Sequence, residues 1–127
     1  NKRCNIGHAP IIIFKNNEPY LTLGSPGGFG IIQYLFQVLS HVLNYEIDLQ
    51  TAIDLPRFKI ANNFEEVFLE NRFEKLNKIL KNKNFNINFF DEWTDIVGGV
   101  EGIVKNSSGN YLNCYDVRRN SHSTGLL

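Results

Sequence analysis

Methionine is absent, tryptophan occurs once, cysteine twice and proline four times. With no methionine at its head and no signal-peptide pattern, Asn1-Lys2-Arg3-Cys4 reads as a cut made inside a longer chain. Any targeting segment is then expected upstream, and localisation is not legible here. Cys4 and Cys114 stand far apart, with no Cys-x-x-Cys and no histidine at metal spacing. One isolated pair is a poor disulfide framework, so two free thiols are expected. His8, His41 and His122 are scattered and suggest no metal site. Net charge is missing too: 13 Lys and Arg cancel 13 Asp and Glu, which removes the electrostatic case for nucleic acid or an anionic membrane. Long apolar runs are also lacking; the best candidate, Ile31 to Leu43, is broken by Gln33, Gln37, Ser40 and His41 and is too short to span a bilayer. No internal repeat is visible, and the Asn/Lys-rich stretch from Asn82 to Asn88 reads as a biased surface turn.

What is present is a globular composition, 43% hydrophobic and 20% charged, over 127 residues: one domain or a piece of one. Pro10 to Phe14 and Tyr20 to Leu23 are β-rich runs around Asn16-Asn17, which predicts a hairpin. Three consecutive isoleucines, Ile11 to Ile13, suggest a strand covered on both faces. Between Gly30 and Asn44, Ile32, Leu35, Phe36, Leu39, Val42 and Leu43 recur at helical spacing. Asp48 can cap a short helix over Leu49 to Asp54 that Pro56 ends. Phe58 and Ile60 alternate with Lys59 and Ala61, which suggests a short strand. Asn63 reads as an N-cap for a helix placing Phe64, Phe68, Leu69, Phe73, Leu76 and Leu80 on one face, with Glu70, Arg72, Glu74, Lys75 and Lys78 on a solvated side. Phe85, Ile87 and Phe89 alternate as a strand, and Val100–Val104 with Tyr111–Tyr115 flank a second turn at Asn106-Ser107-Ser108-Gly109. The order ββααβαβββ predicts a layered α+β fold. Trp93 and the ten phenylalanines read as core.

The segment richest in chemical meaning is Leu23-Gly24-Ser25-Pro26-Gly27-Gly28, where a strand ends, the backbone turns and a helix begins. Such a corner gathers unpaired N–H groups at the positive end of a helix dipole, a place for a phosphate or for the oxyanion of acyl transfer. The same hexapeptide also reads as a plain strand-to-helix turn. Ser25 makes a poor nucleophile, because Pro26 follows it and no elbow pattern or ordered His/Asp partner accompanies it.

Five segments in order, Gly24-Ser25-Pro26-Gly27-Gly28, Gln37-Val38-Leu39, Ala52-Ile53-Asp54-Leu55-Pro56-Arg57, Gly98-Gly99-Val100-Glu101-Gly102-Ile103 and Asp116-Val117-Arg118-Arg119, resemble the C-terminal part of the small subunit of γ-glutamyltranspeptidases (glutathione hydrolases). The likeness covers residues 1–127, with a gap between about Asn62 and Ile96. It implies part of the αββα sandwich of N-terminal-nucleophile hydrolases, with the upstream half of the domain outside this sequence. It implies no cofactor, and it makes the rest of the small subunit and the large subunit the partners, with a γ-glutamyl substrate such as glutathione. It also implies a periplasmic, secreted or membrane-anchored setting. In the family a threonine freed at the small subunit's N-terminus attacks the γ-glutamyl amide. Asn1 cannot do so and no Thr-Thr-His-like segment occurs, so this chain alone is expected to be inactive. Gly27 and Gly28 match the two glycines whose N–H groups hold the oxyanion. Counting back from Pro10, Ile6 and Gly7 occupy the positions of the family's carboxylate-binding serine pair, while Lys2, Arg3 and Pro10 agree with its motif. Two lost hydroxyl donors are worth about 1.5–3 kcal/mol each against a charged acceptor. Pro26, Arg57, Asp116 and Arg118 take structural roles, the last two as an ion pair. A non-catalytic relic or binding paralogue, an acylase with another substrate, and a free-standing anion-binding module are the alternative readings.

Overall fold

A computed structural model describes residues 7–76, 79–80, 86–122 and 124. The first half of the fold is a four-stranded antiparallel sheet in the order β1-β2-β6-β7. Strands β1 (Ile11–Lys15) and β2 (Glu18–Gly24) form the first hairpin. Asn16 and Asn17 turn it, both at positive φ, which Asn tolerates better than most residues. Strands β6 (Glu101–Lys105) and β7 (Tyr111–Cys114) form the second, around an Asn106 whose side chain accepts from the N–H groups of Ser108 and Asn110. The row Ile11, Leu23, Gly102, Cys114 lies on one face, and the row Ile12, Thr22, Ile103, Asn113 on the other.

Helices α1 (Ile31–Tyr45) and α2 (Leu49–Asp54) belong to the first of those faces. Leu21 and Leu23 of the sheet are buried with Leu35, Val38, Val42, Leu49, Ala52 and Ile53 in one core cluster, together with Val97, Val100 and the free thiol of Cys114. Asp48 caps α2, its carboxylate accepting from the Thr51 N–H at 3.0 Å, which satisfies a donor that the first turn leaves without an intrahelical acceptor. The helical period over Gly30 to Asn44 is observed, but the buried stripe is turned by about one residue from the expected one. Ile31, Tyr34, Leu35, Val38 and Val42 are buried, whereas Ile32, Phe36 and Leu43 are exposed. The apolar residues encircle enough of α1 that spacing alone does not decide which of two adjacent stripes meets the sheet.

Further expectations are corrected. Ile12 is 62% exposed, so the Ile11–Ile13 strand is covered on one face only among the described residues. Among the described residues no α-helix runs from Asn63 to Leu76. Asn63 instead accepts from the Glu65 N–H in a local turn, Phe64 sits at φ 60° and is exposed, and the chain enters strand β4 (Glu66–Glu70). Val67, Phe68 and Leu69 pair antiparallel with β3 (Phe58–Ile60) and parallel with β5 (Asn86–Phe90), forming a second, three-stranded sheet. A short 3₁₀ segment, Asn71–Leu76, follows. Backbone pairing on both edges of β4 outweighs the weak helical pattern, a tertiary effect invisible to spacing. The element order is therefore ββααβββββ. Glu70, assigned above to a solvated side, is fully buried, and Trp93 is 42% exposed rather than core. Phe14, Phe29, Phe36 and Phe64 are likewise exposed. The Phe85 part of the predicted strand lies outside the described residues, as do Lys2, Arg3, Cys4, Ile6 and Lys78.

Candidate active-site corner

Strand β2 ends at Gly24, a 3₁₀ turn begins four residues later at Gly28, and α1 follows from Ile31. Ser25 turns its hydroxyl back to donate to the Pro26 carbonyl at 2.8 Å. Gly27 adopts φ 131° and Gly28 φ 59°, conformations that a Cβ makes costly. The Gly30 N–H donates to the Gly27 carbonyl at 3.3 Å and the Ile31 N–H to the Gly28 carbonyl, so the helix begins in a tight turn. The N–H groups of Gly27 and Gly28 have no protein acceptor among the described residues. They sit before the first turn of the fifteen-residue α1, where the dipole adds positive potential. Two adjacent N–H donors at such a place are suited to an oxyanion.

Gly7 is brought directly to this corner: a Cβ there would lie 3.5 Å from Cα of Gly28 and 3.7 Å from Cδ1 of Ile31. The two share a cavity of about 290 Å³ lined by Gly7, His8, Ala9, Gly28, Phe29, Ile31 and Ile32. Among the described lining residues, His8 is the one side chain with a polar group. A larger groove of about 690 Å³ is lined by Gly24, Ser25 and Pro26 together with Thr22, Ile103 and Asn113 of the sheet's outer face.

A buried ionic cluster draws its charged groups from three separated stretches of sequence. Glu70 accepts from the Arg57 N–H at 2.9 Å, from Arg72 at 2.8 Å, and from Arg118 through Nε at 2.6 Å and Nη2 at 2.8 Å. Asp116 accepts from the Arg57 guanidinium, from the Val100 N–H at 2.9 Å, and from the backbone N–H and Nη1 of Arg118 at 3.0 and 3.1 Å. Arg118 also donates to the carbonyls of Ile53 and Leu55, both at 3.0 Å, closing the end of α2. Arg57, Glu70 and Asp116 have 1% exposure or less. Burial depresses the Arg57 pKa against the pull of Asp116, whereas for Arg118 the Glu70 and Asp116 carboxylates outweigh burial and raise it. Charges taken out of water this completely persist only when paired and hydrogen-bonded. The Arg72 guanidinium lies 3.7 Å from the Trp93 ring centre and Arg118 4.9 Å, so the indole roofs the cluster by cation–π contact.

Pro26, Gly27, Gly28 and Gly7 thus form one group, and Arg57, Asp116 and Arg118 another. They are linked through Val100, whose N–H meets Asp116 and which follows Gly98-Gly99. Glu70 is the member sequence reasoning missed. Reading Glu66–Glu70 as a strand would have put Glu70 on the same face as Phe68, away from the solvated side assigned to it.

A family model described as Gamma-glutamyltranspeptidase matches residues 1–126. The glutathione hydrolase proenzyme of Bacillus subtilis (strain 168) is 29% identical over 127 residues, covering 99% of this chain and 21% of its own length. Among solved structures, a mutant of Helicobacter pylori gamma-glutamyltranspeptidase superposes with a TM-score of 0.79 at 28% identity, over 93% of this chain and 64% of that one. The Bacillus anthracis transpeptidase CapD gives 0.80 at 25% identity, over 98% of this chain and 74% of that one. The chain spans about a fifth of the length of the Bacillus subtilis relative.

Proposed function

Because the chain belongs to the gamma-glutamyltranspeptidase family and its mixed sheet-and-helix fold is part of the sandwich of N-terminal-nucleophile hydrolases, we propose that Gly27 and Gly28 supply the oxyanion-holding N–H groups for acyl transfer from γ-glutamyl amides. The observation that carries this is the pair of N–H groups without an acceptor, at φ values suited to glycine, ahead of α1. In this reading the attacking group is a threonine supplied by the rest of the small subunit. Attack makes a tetrahedral carbon whose oxygen becomes anionic, and donors fixed beforehand stabilise that charge without reorganising. The partners are the rest of the small subunit and the large subunit. The exposed Ile12 and Ile103 of the sheet's outer face support that reading, since a sandwich covers such a face.

The test is made in the full-length protein with a γ-glutamyl anilide. Gly28→Val is expected to lower kcat by ~10²–10³ with a smaller change in KM. Unchanged kcat removes the corner from the mechanism.

One observation favours a second reading, an acylase of the same family with another acyl group. The cavity shared by Gly7 and Gly28 has no hydroxyl or cationic Lys or Arg among its described lining residues, which suits an acyl group without a carboxylate. Comparing an N-acyl anilide lacking the α-carboxylate with the γ-glutamyl anilide separates the two, the ratio of kcat/KM deciding.

A further inference from the structure

We propose that Tyr34 is the positioning residue of the two-glycine corner: its ring is the wedge on which Gly27, Gly30 and Gly98 rest, and it sets where the Gly27 and Gly28 N–H groups point. This rests on the oxyanion reading above for its catalytic consequence, but not for its geometry.

Tyr34 lies one turn into α1 and is wholly buried. Three glycines from two separate loops close around its ring. A Cβ at Gly30 would fall 2.0 Å from the phenol oxygen, one at Gly98 2.2 Å from Cε2, and one at Gly27 3.0 Å from the same carbon. Gly27 and Gly98 also have positive φ, so conformation alone accounts for glycine there. Gly30 does not: at φ −79° and ψ −14° it has ordinary helical geometry, which side chains adopt freely. The three atoms nearest to a Cβ at Gly30 all belong to the Tyr34 ring and its hydroxyl, the farthest of them at 2.7 Å. The phenol hydroxyl donates to the Ile96 carbonyl at 3.0 Å, tying the ring to the segment that leads into Gly98. The wedge therefore touches the corner on one side and the Ile96–Gly98 loop on the other. That loop continues to Val100, held by Asp116, so the chain of support runs from the ionic cluster through Tyr34 to Gly27. Close-packed atoms transmit displacement, and a donor moved by a few tenths of an ångström no longer meets the developing charge.

The experiment uses the full-length protein and reads two quantities. One is kcat and KM on a γ-glutamyl anilide. The other is hydrogen exchange of the Gly27 and Gly28 amides, followed by NMR after ¹⁵N-glycine labelling. Tyr34→Ala is expected to lower kcat by ~10-fold or more with KM changed less than about threefold, and to speed exchange at both amides. Tyr34→Phe keeps the ring and is expected to restore kcat to within about threefold. Gly30→Ala reproduces the Tyr34→Ala loss, and the double variant Gly30→Ala/Tyr34→Ala is no worse than Tyr34→Ala alone, because the clash has gone. Should Tyr34→Ala fail to fold, Tyr34→Leu and the Gly30→Ala single variant carry the same comparison. A kcat and exchange pattern unmoved by Tyr34→Ala, or losses from the two sites that simply multiply, overturns the proposal. A wild-type protein inactive on the anilide counts against the oxyanion reading instead; the exchange data then decide the role of Tyr34.

Discussion

Glu70 and Glu18 are both ion-paired carboxylates, and they differ in nearly every physical respect. Glu18 meets Lys105 at 2.5 Å at the surface, 67% exposed, where water screens the pair and a mutation changes little. Glu70 has no exposure and holds Arg118, Arg72 and the Arg57 N–H at once. Glu70→Gln leaves buried guanidinium groups short of a counter-charge, and is expected to lower unfolding stability by about 3–5 kcal/mol. Glu18→Gln is expected to leave the denaturation midpoint where it was. Urea titration of the two variants checks this, and equal midpoints would falsify the account of the cluster. Tyr34 adds a pH dependence. Burial, opposed by Arg57 and Arg119, pushes its pKa up to about 12 from an ordinary value of 10. The folded state therefore holds the proton more tightly than the unfolded state, so the associated stability is complete below pH 10 and lost as pH rises towards 12. In Tyr34→Phe that part of the alkaline decline disappears, which denaturation at pH 9, 10.5 and 11.5 measures.

At the scale of elements, α1 does two jobs with two faces. Its buried stripe covers the four-stranded sheet, and its glutamines pair with the edge of the second sheet. Gln33 and Gln37, one turn apart, present their amides to β3: the N–H of Ile60 donates to Gln33 at 2.8 Å and that of Phe58 to Gln37 at 3.1 Å, while the amide nitrogens donate back to the same residues' carbonyls at 3.1 and 2.9 Å. The side chains thus replace the strand that β3 lacks on that edge. Gln37 is buried, so Gln37→Leu strands a donor and an acceptor and is expected to cost about 1–3 kcal/mol. Gln33 is on a wetter part of the helix, and Gln33→Leu is expected to cost less. A Gln37→Leu protein with wild-type stability would show that the amide bridge contributes nothing net.

At the scale of the whole molecule, the four-stranded sheet is covered on one face only among the described residues. Ile12, Phe14, Ile103 and Tyr111 are exposed on β1, β6 and β7, and exposed apolar side chains gathered on one sheet face mark an interface. Produced as the 127-residue chain alone, the protein is expected to self-associate through this face. Paired Ile12→Lys and Ile103→Lys changes should lower the sedimenting mass without shifting Tm. A wild-type chain that stays monomeric at high concentration contradicts this.

Local signals were legible where short-range chemistry is decisive. The Asn16-Asn17 hairpin, the Asp48 cap, the Pro56 stop and the Gly27-Gly28 corner all follow from backbone preferences that act within a few residues, and the ordered motifs identified the family. Long-range pairing was not legible. Phe64 to Leu69 carry apolar residues at spacings that suit either a helix or a strand. Only the presence of β3 and β5 on either side made β4 a strand, and that same choice turned Glu70 from an exposed side chain into the centre of a buried cluster. Which stripe of α1 faces inward was settled likewise by packing, with Gly27, Gly30 and Gly98 leaving the space that the Tyr34 ring fills, because packing selects among faces that periodicity leaves equivalent.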